Sequence, residues 1–170
     1  MRADDFTTQH FTWFTGIVED INDTNNLNRV KVRCLGYHTT DKSFLPTAKL
    51  PWATVIMPVT SASIKGNGGN HHLEVNSWVV GFFRDGPSAQ DPMVMGSVAT
   101  QTDGTQDIPS EAHDKIDNKV YKSKAGHLIE IDNTSGSEEI RITHGKKSSY
   151  IKIDKDGLIE IKSIKKTRII

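Results

Sequence analysis

The chain has 170 residues, one ordinary domain or a domain with a smaller appendage, and its 21 Lys+Arg balance its 21 Asp+Glu. This neutrality gives no electrostatic reason to expect nucleic acid, an anionic membrane or an acidic tail as partner. The one cysteine, Cys34, cannot form an internal disulfide. No apolar run approaches the roughly 18 residues that span a bilayer, and the N-terminus does not read as a signal peptide, so the expectation is a soluble protein made in the cytoplasm.

Apolar residues recur at spacing two and are separated by intervals rich in Asn, Asp, Gly, Ser and Thr, which predicts an almost entirely β protein. Residues 12–18 (TWFTGIV) and 29–35 (RVKVRCL) read as two strands joined by the polar EDINDTNNLN. Further strands are expected at 52–58 (WATVIMP), 77–84 (SWVVGFFR) and 93–98 (MVMGSV). Pro51 and Pro58 bracket the third and limit its extension. Five short strands in about ninety residues suit a small barrel of the OB type over residues 1–98.

The following stretch, ATQTDGTQDIPSEAHDKIDNK, lacks aromatic residues and reads as a linker within 99–121. From Lys122 the texture changes, and residues 122–170 carry four short strands, each with an Ile-x-Ile pair: Ile129 and Ile131, Ile140 and Ile142, Ile151 and Ile153, Ile159 and Ile161. Alternation places both isoleucines of a pair on one face and Glu130, Arg141, Lys152 and Glu160 on the other. Successive pairs start 11, 11 and 8 residues apart, a brief repeat. A single layer cannot close its own core. Two arrangements would cover the isoleucines: identical copies wound around a common axis, or a second sheet folded onto the barrel of a monomer.

Two blocks together resemble a known family. The first is FTWFTGIVEDINDTNNLNRVKVRCLGYHTTDKSFLPTAKLPWATVIMPVTSAS followed by NSWVVGFFRDGPSAQDPMVMGS, and the second is KSKAGHLIEIDNTSGSEEIRITHGKKSSYIKIDKDGLIEIKS. In that order they resemble the central spike proteins of contractile phage tail baseplates of the T-even type, and are similar to the valine-glycine-repeat spike of type VI secretion. The resemblance implies an OB barrel beneath a ring-shaped hub protein and a triple-stranded β-helix made by a homotrimer, with the eight isoleucines as trimer core. It further implies a place in the virion tail baseplate, transient contact with the host envelope during puncture, and room for a separate tip protein. T-even members carry a muramidase domain between the two parts; here only about twenty residues, 99–118, stand in that interval, so lysozyme activity is not carried over. Where a glycine-containing turn is expected before SWVVGFF, Asn76 stands, which predicts a different loop shape.

Other chemistry finds little support in the residues. His71 and His72, with Glu74 nearby, are the metal suspects, but adjacent histidines point to opposite faces of an extended chain and zinc-ligand spacing is absent. No histidine follows His144, so an iron-holding tip of the kind found in some relatives is not expected. Glu19–Asp20 and Glu138–Glu139 are sequence neighbours suited to turns, not paired catalytic carboxylates. GNGG lacks the Lys-Ser/Thr ending of a phosphate loop. Trp13, Phe14, Trp52, Trp78, Phe82 and Phe83 could stack bases in an OB groove, yet residues 1–100 carry 8 Lys+Arg against 9 Asp+Glu, and core or interface roles account for them more simply. The expectation is a non-enzymatic structural protein with no cofactor, metal or nucleic acid. An OB-type nucleic-acid or glycan module is the alternative, and a metal-dependent hydrolase using His71 and His72 a weaker one.

Overall fold

The computed structural model describes residues 11–165, and the chain divides into two compact units, 1–99 and 100–170. Strands β1 (Thr12–Asp20), β2 (Val30–Cys34), β3 (Trp52–Val55), β4 (Trp78–Phe83) and β5 (Pro92–Ser97) build the first unit. They form a closed barrel in the order β1-β2-β3-β5-β4, all antiparallel except β3 against β5. Closure removes every strand edge. β3 is shorter than its sequence window, because the approach to Pro58 ends the ladder after Ile56 donates to the Val94 carbonyl.

Alternation decides the barrel core. Phe14 and Val18 of β1, Val30, Val32 and Cys34 of β2, Val79 and Phe83 of β4 and Val94 of β5 all point inward and are buried. The reverse of β2 is buried as well, although it carries Lys31 and Arg33, because the segment 36–50 runs across it. Lys31 Nζ donates to the Ala48 carbonyl at 2.6 Å, and Arg33 donates to the carbonyls of Thr39 and Leu45, so the segment is held by side chains of the strand it covers. The β1–β2 connection is organised by Asp23, whose carboxylate accepts from the backbone N–H groups of Asn25, Leu27 and Arg29 and from the Arg29 guanidinium. Asn26 and Asn28 take left-handed backbone conformations there (φ 55° and 58°), which their side chains tolerate better than most.

Asn76 corrects the sequence expectation. Its φ of 75° is the conformation that a glycine would supply, and its N–H donates to the Val18 carbonyl, so the turn into β4 persists with asparagine.

The second unit begins with a small hairpin, β6 (Gln101–Thr102) and β7 (Thr105–Gln106), and a 3-10 turn at Ser110–Ala112, all within the stretch read as a linker. The sheet follows: β8 (Asn118–Lys122), β9 (Leu128–Asp132), β10 (Glu139–Thr143), β11 (Tyr150–Asp154) and β12 (Ile159–Lys162), an antiparallel meander in sequence order. β8 was not among the four expected strands; its NKVYK sequence has no alternation to announce it. Ile169 and Ile170 lie outside the described residues.

Gly81 marks where the barrel tolerates no addition. A Cβ there would overlap the Met93 carbonyl oxygen and stand 2.6 Å from Phe14 Cζ, both in packed core. Gly81→Ala is expected to cost about 2 kcal/mol or more, since overpacking of this kind forces backbone shifts; a guanidinium titration that found the first unit's midpoint unmoved would refute this.

Candidate functional site

The register of the second sheet converts the four Ile-x-Ile pairs into two continuous rows. Ile131, Ile140, Ile153 and Ile159 face one another across successive strands, and so do Ile129, Ile142, Ile151 and Ile161. β8 extends these rows with Lys119 and Tyr121. No element of the second unit's described residues covers this face: the eight isoleucines remain 40–64% exposed.

The reverse face carries the charge and is the better covered of the two. Glu130, Arg141, Lys152 and Glu160 form its central row. Arg141 Nε pairs with Glu139 at 2.8 Å and lies over the Tyr150 ring at 4.7 Å. Lys152 pairs with Glu160 at 3.0 Å, and the Tyr150 hydroxyl donates to the same carboxylate. Near β8, Asn118 donates to the Glu111 carbonyl and to Glu130, while Lys122 pairs with Glu111 at 2.7 Å. As a result the Lys152 and Arg141 side chains are only 19% and 27% exposed, less than any of the isoleucines. A sheet whose ionic face is knitted together and whose aliphatic face lies open has the inverse of the usual solvent pattern.

At one end of the isoleucine face the rows give way to His127 and His144, whose rings meet edge to face at 4.5 Å. Beside them the β8–β9 and β10–β11 turns are pressed together at Gly126 and Gly145; a Cβ on Gly145 would stand 2.5 Å from the Ala125 carbonyl oxygen. Sequence reasoning did not pair these two histidines, because the turns that align them lie outside the repeat.

The barrel presents a smaller apolar surface. Phe11 and Trp13, each half-exposed, stack with one another at 4.7 Å, and Phe11 meets Phe82 at 4.9 Å on the outside of β1 and β4. Of the other aromatics, Phe14 and Phe83 pack in the core, and Trp52 is flanked by Arg29 and Lys31. No row of aromatics follows a basic groove among the described residues.

His71 and His72 lie in an exposed loop, with His72 Nε2 3.2 Å from the Asn70 amide. His72 lines a cleft of about 500 Å³ together with Ile21, Asn22, Asp23, Asn26, Asn28 and Asn70. Asp23 is the carboxylate in that cleft, and it is engaged with Arg29 and the surrounding backbone, which hold it well below the usual carboxylate range. No group of three or more His, Cys, Asp or Glu side chains is arranged to hold a metal among the described residues. Burial pushes the Cys34 thiol up to about 12, leaving it unreactive at neutral pH. Glu19, half of a carboxylate pair in the sequence, is buried on the barrel and binds Arg33 at 2.8 Å, Lys42 at 3.0 Å and the Thr47 hydroxyl at 2.6 Å. The Arg33 guanidinium holds the Glu19 carboxyl down at about 2. Such a group is a permanent anion, unsuited to proton transfer near neutrality.

A family model described as the Gp5 N-terminal OB domain matches residues 36–163, about three quarters of the chain. The chain is similar to the pre-baseplate central spike protein Gp5 of Enterobacteria phage T4, with 43% identity over 68 residues, which is 37% of this chain and 12% of that protein. It is also similar to protein Gp5 of Vibrio phage KVP40, with 39% identity over 92 residues, covering 51% of this chain and 21% of the relative. The matched segments thus span about an eighth to a fifth of those proteins' lengths.

The Glu19–Arg33 pair fixes an acid limb of stability. Because the folded pKa of about 2 lies below the ordinary 4.5, its contribution is fully present above pH 4.5 and is lost as pH falls toward 2. Glu19→Gln is expected to cost about 3 kcal/mol at pH 7 by stranding Arg33 in a buried site. Urea titrations from pH 7 to pH 2.5 check this: the gap between parent and variant should narrow on acidification, and a constant gap would contradict it.

Proposed function

The chain belongs to the Gp5 N-terminal OB domain family, and from that premise we propose that it is a structural, non-enzymatic central spike of a contractile phage tail baseplate, acting as a homotrimer in the virion. The open isoleucine face carries this reading. Leaving eight isoleucines about half exposed forgoes roughly 6–12 kcal/mol of burial per chain, a sum comparable with the cost of bringing chains together. Three copies turned inward around an axis would enclose Ile129, Ile131, Ile140, Ile142, Ile151, Ile153, Ile159 and Ile161 as a dry core. The knitted charged face would then meet water, as its composition suits it to do. The triple-stranded β-helix that the family resemblance implies is such an arrangement.

In this proposal residues 1–98 dock on a baseplate hub protein, 99–121 connect, and 122–170 form the stiff segment directed at the host envelope, with a separate tip protein completing it. The half-exposed Phe11 and Trp13, set beside buried Phe82, support a protein contact on the barrel. The interval between β5 and β8 runs from Val98 to Asp117, too short to hold a muramidase domain, which supports a role in which sheath contraction and not bond cleavage supplies the work of penetration. The kinship with the spike of type VI secretion belongs to the same proposal.

Light scattering on the purified chain tests this. The expected mass is three times 18.9 kDa, and Ile142→Asp with Ile151→Asp should reduce it to that of one chain while the barrel keeps its near-ultraviolet dichroism. A monomer in the parent protein at every accessible concentration would overturn the spike reading.

A further inference from the structure

The meander gathers the β8–β9 turn, the β10–β11 turn and the exit of β12 at one end of the sheet, and the β9–β10 and β11–β12 turns with the entry to β8 at the other. Charge is sorted between these ends. The first holds Lys122, Lys124, Lys146, Lys147, Lys162 and Lys165, with His127 and His144 beside them, and no Asp or Glu from the sheet or its turns. The second holds Asp117, Asp132, Glu138, Glu139, Asp154 and Asp156; Lys115, Lys119 and Lys155 are the cations nearby, with Asp156 paired to Lys155 and Glu139 to Arg141. The sheet, with 9 Lys+Arg against 7 Asp+Glu over 118–162, is therefore polar from end to end along its strands.

Resting on the trimer reading above, we propose that these ends form the seams between copies: the lysine-bearing turns of one chain seat against the acidic turns of the next. A cyclic assembly of identical chains joins one edge of each copy to the opposite edge of its neighbour. Two orientations would turn the isoleucines inward. With strands along the axis, β8 would meet β12 and all three lysine ends would crowd one rim, where like charges repel. With strands across the axis, each lysine end meets an acidic end, and three complementary seams result. The charge pattern selects the second arrangement and gives it a direction, since only head-to-tail contact pairs opposite signs. Asp132 and Asp154 are committed within their turns, accepting from Thr134 N–H and from the N–H groups of Asp156 and Leu158. Glu138 and Asp156 are exposed in the same turns; Lys155 Nζ pairs with both Asp156 oxygens at 2.9 and 3.0 Å, and in the seam Lys146 and Lys147 of the next chain would join that cluster.

The test compares three variants of the full chain by sedimentation equilibrium. Lys146→Glu with Lys147→Glu, and separately Glu138→Lys with Asp156→Lys, should each raise the concentration of half-dissociation about tenfold or more at low salt, because like charges then face each other at every seam. Combining all four reversals restores opposite signs and should bring that concentration back to within about threefold of the parent; the differences should shrink in about 0.5 M salt. Singly reversed variants that assemble like the parent, or a fourfold variant that stays dissociated, would overturn the seam while leaving the trimer intact as a reading. A Lys146/Lys147 reversal that leaves assembly unchanged but abolishes binding to inorganic polyphosphate would overturn it in favour of an external anion. A parent chain that is monomeric throughout would overturn both readings together.

Discussion

Strand alternation is the constraint from which the second unit follows. Because neighbouring side chains on a strand must point to opposite faces, an Ile-x-Ile pair with a charged middle residue commits one face to oil and the other to ions. Antiparallel pairing in register then fuses four pairs into two rows. The charges of the ionic face pair inside one chain through Arg141–Glu139, Lys152–Glu160 and the Tyr150 hydroxyl, leaving, among the described residues, Thr143 Oγ1 and Asn118 Oδ1 as its buried polar atoms without a partner. The isoleucine face has no equivalent remedy, since a single layer has nothing to fold over it.

The barrel resolves the same constraint differently. It closes the sheet on itself, so its inward residues find one another and its edges vanish. Even its exceptional feature, a strand buried on both faces, is handled internally: Lys31 and Arg33 reach up to hold the segment that covers them, and Glu19 supplies the charge that makes burying Arg33 tolerable. One unit buries its apolar strands against one another, while the other leaves an aliphatic face about half exposed.

What the sequence revealed tracks how local each cause is. Barrel strands were legible because alternation and turn residues act over a few positions, and the faces of the isoleucine pairs were legible for the same reason. β8 was hidden: Val120 and Tyr121 are adjacent, and the strand exists because β9 offers it a ladder rather than through any pattern of its own. The cover over β2 was hidden too, since VKVRC reads as a half-solvated strand until the irregular segment that follows it folds back across Lys31 and Arg33. The turn at Asn76 was hidden because a left-handed position points first to glycine, although asparagine reaches that region at modest cost. The meeting of His127 with His144 needed the register of two turns, which no periodicity encodes.

Gly126 and Gly145 tie the two surfaces of the sheet together. Their turns approach so closely that a Cβ on Gly145 would strike backbone on its neighbour. A bulkier pair would splay the β8–β9 and β10–β11 hairpins and tilt Ile129 away from Ile142, since the rows begin immediately inside these turns. The same compactness brings Lys124, Lys146 and Lys147 onto one short edge, where their charges act together rather than along the length of the sheet. Thus the meander that sets the isoleucine rows in register also gathers these lysines at one end, where the two glycines let neighbouring turns close on each other.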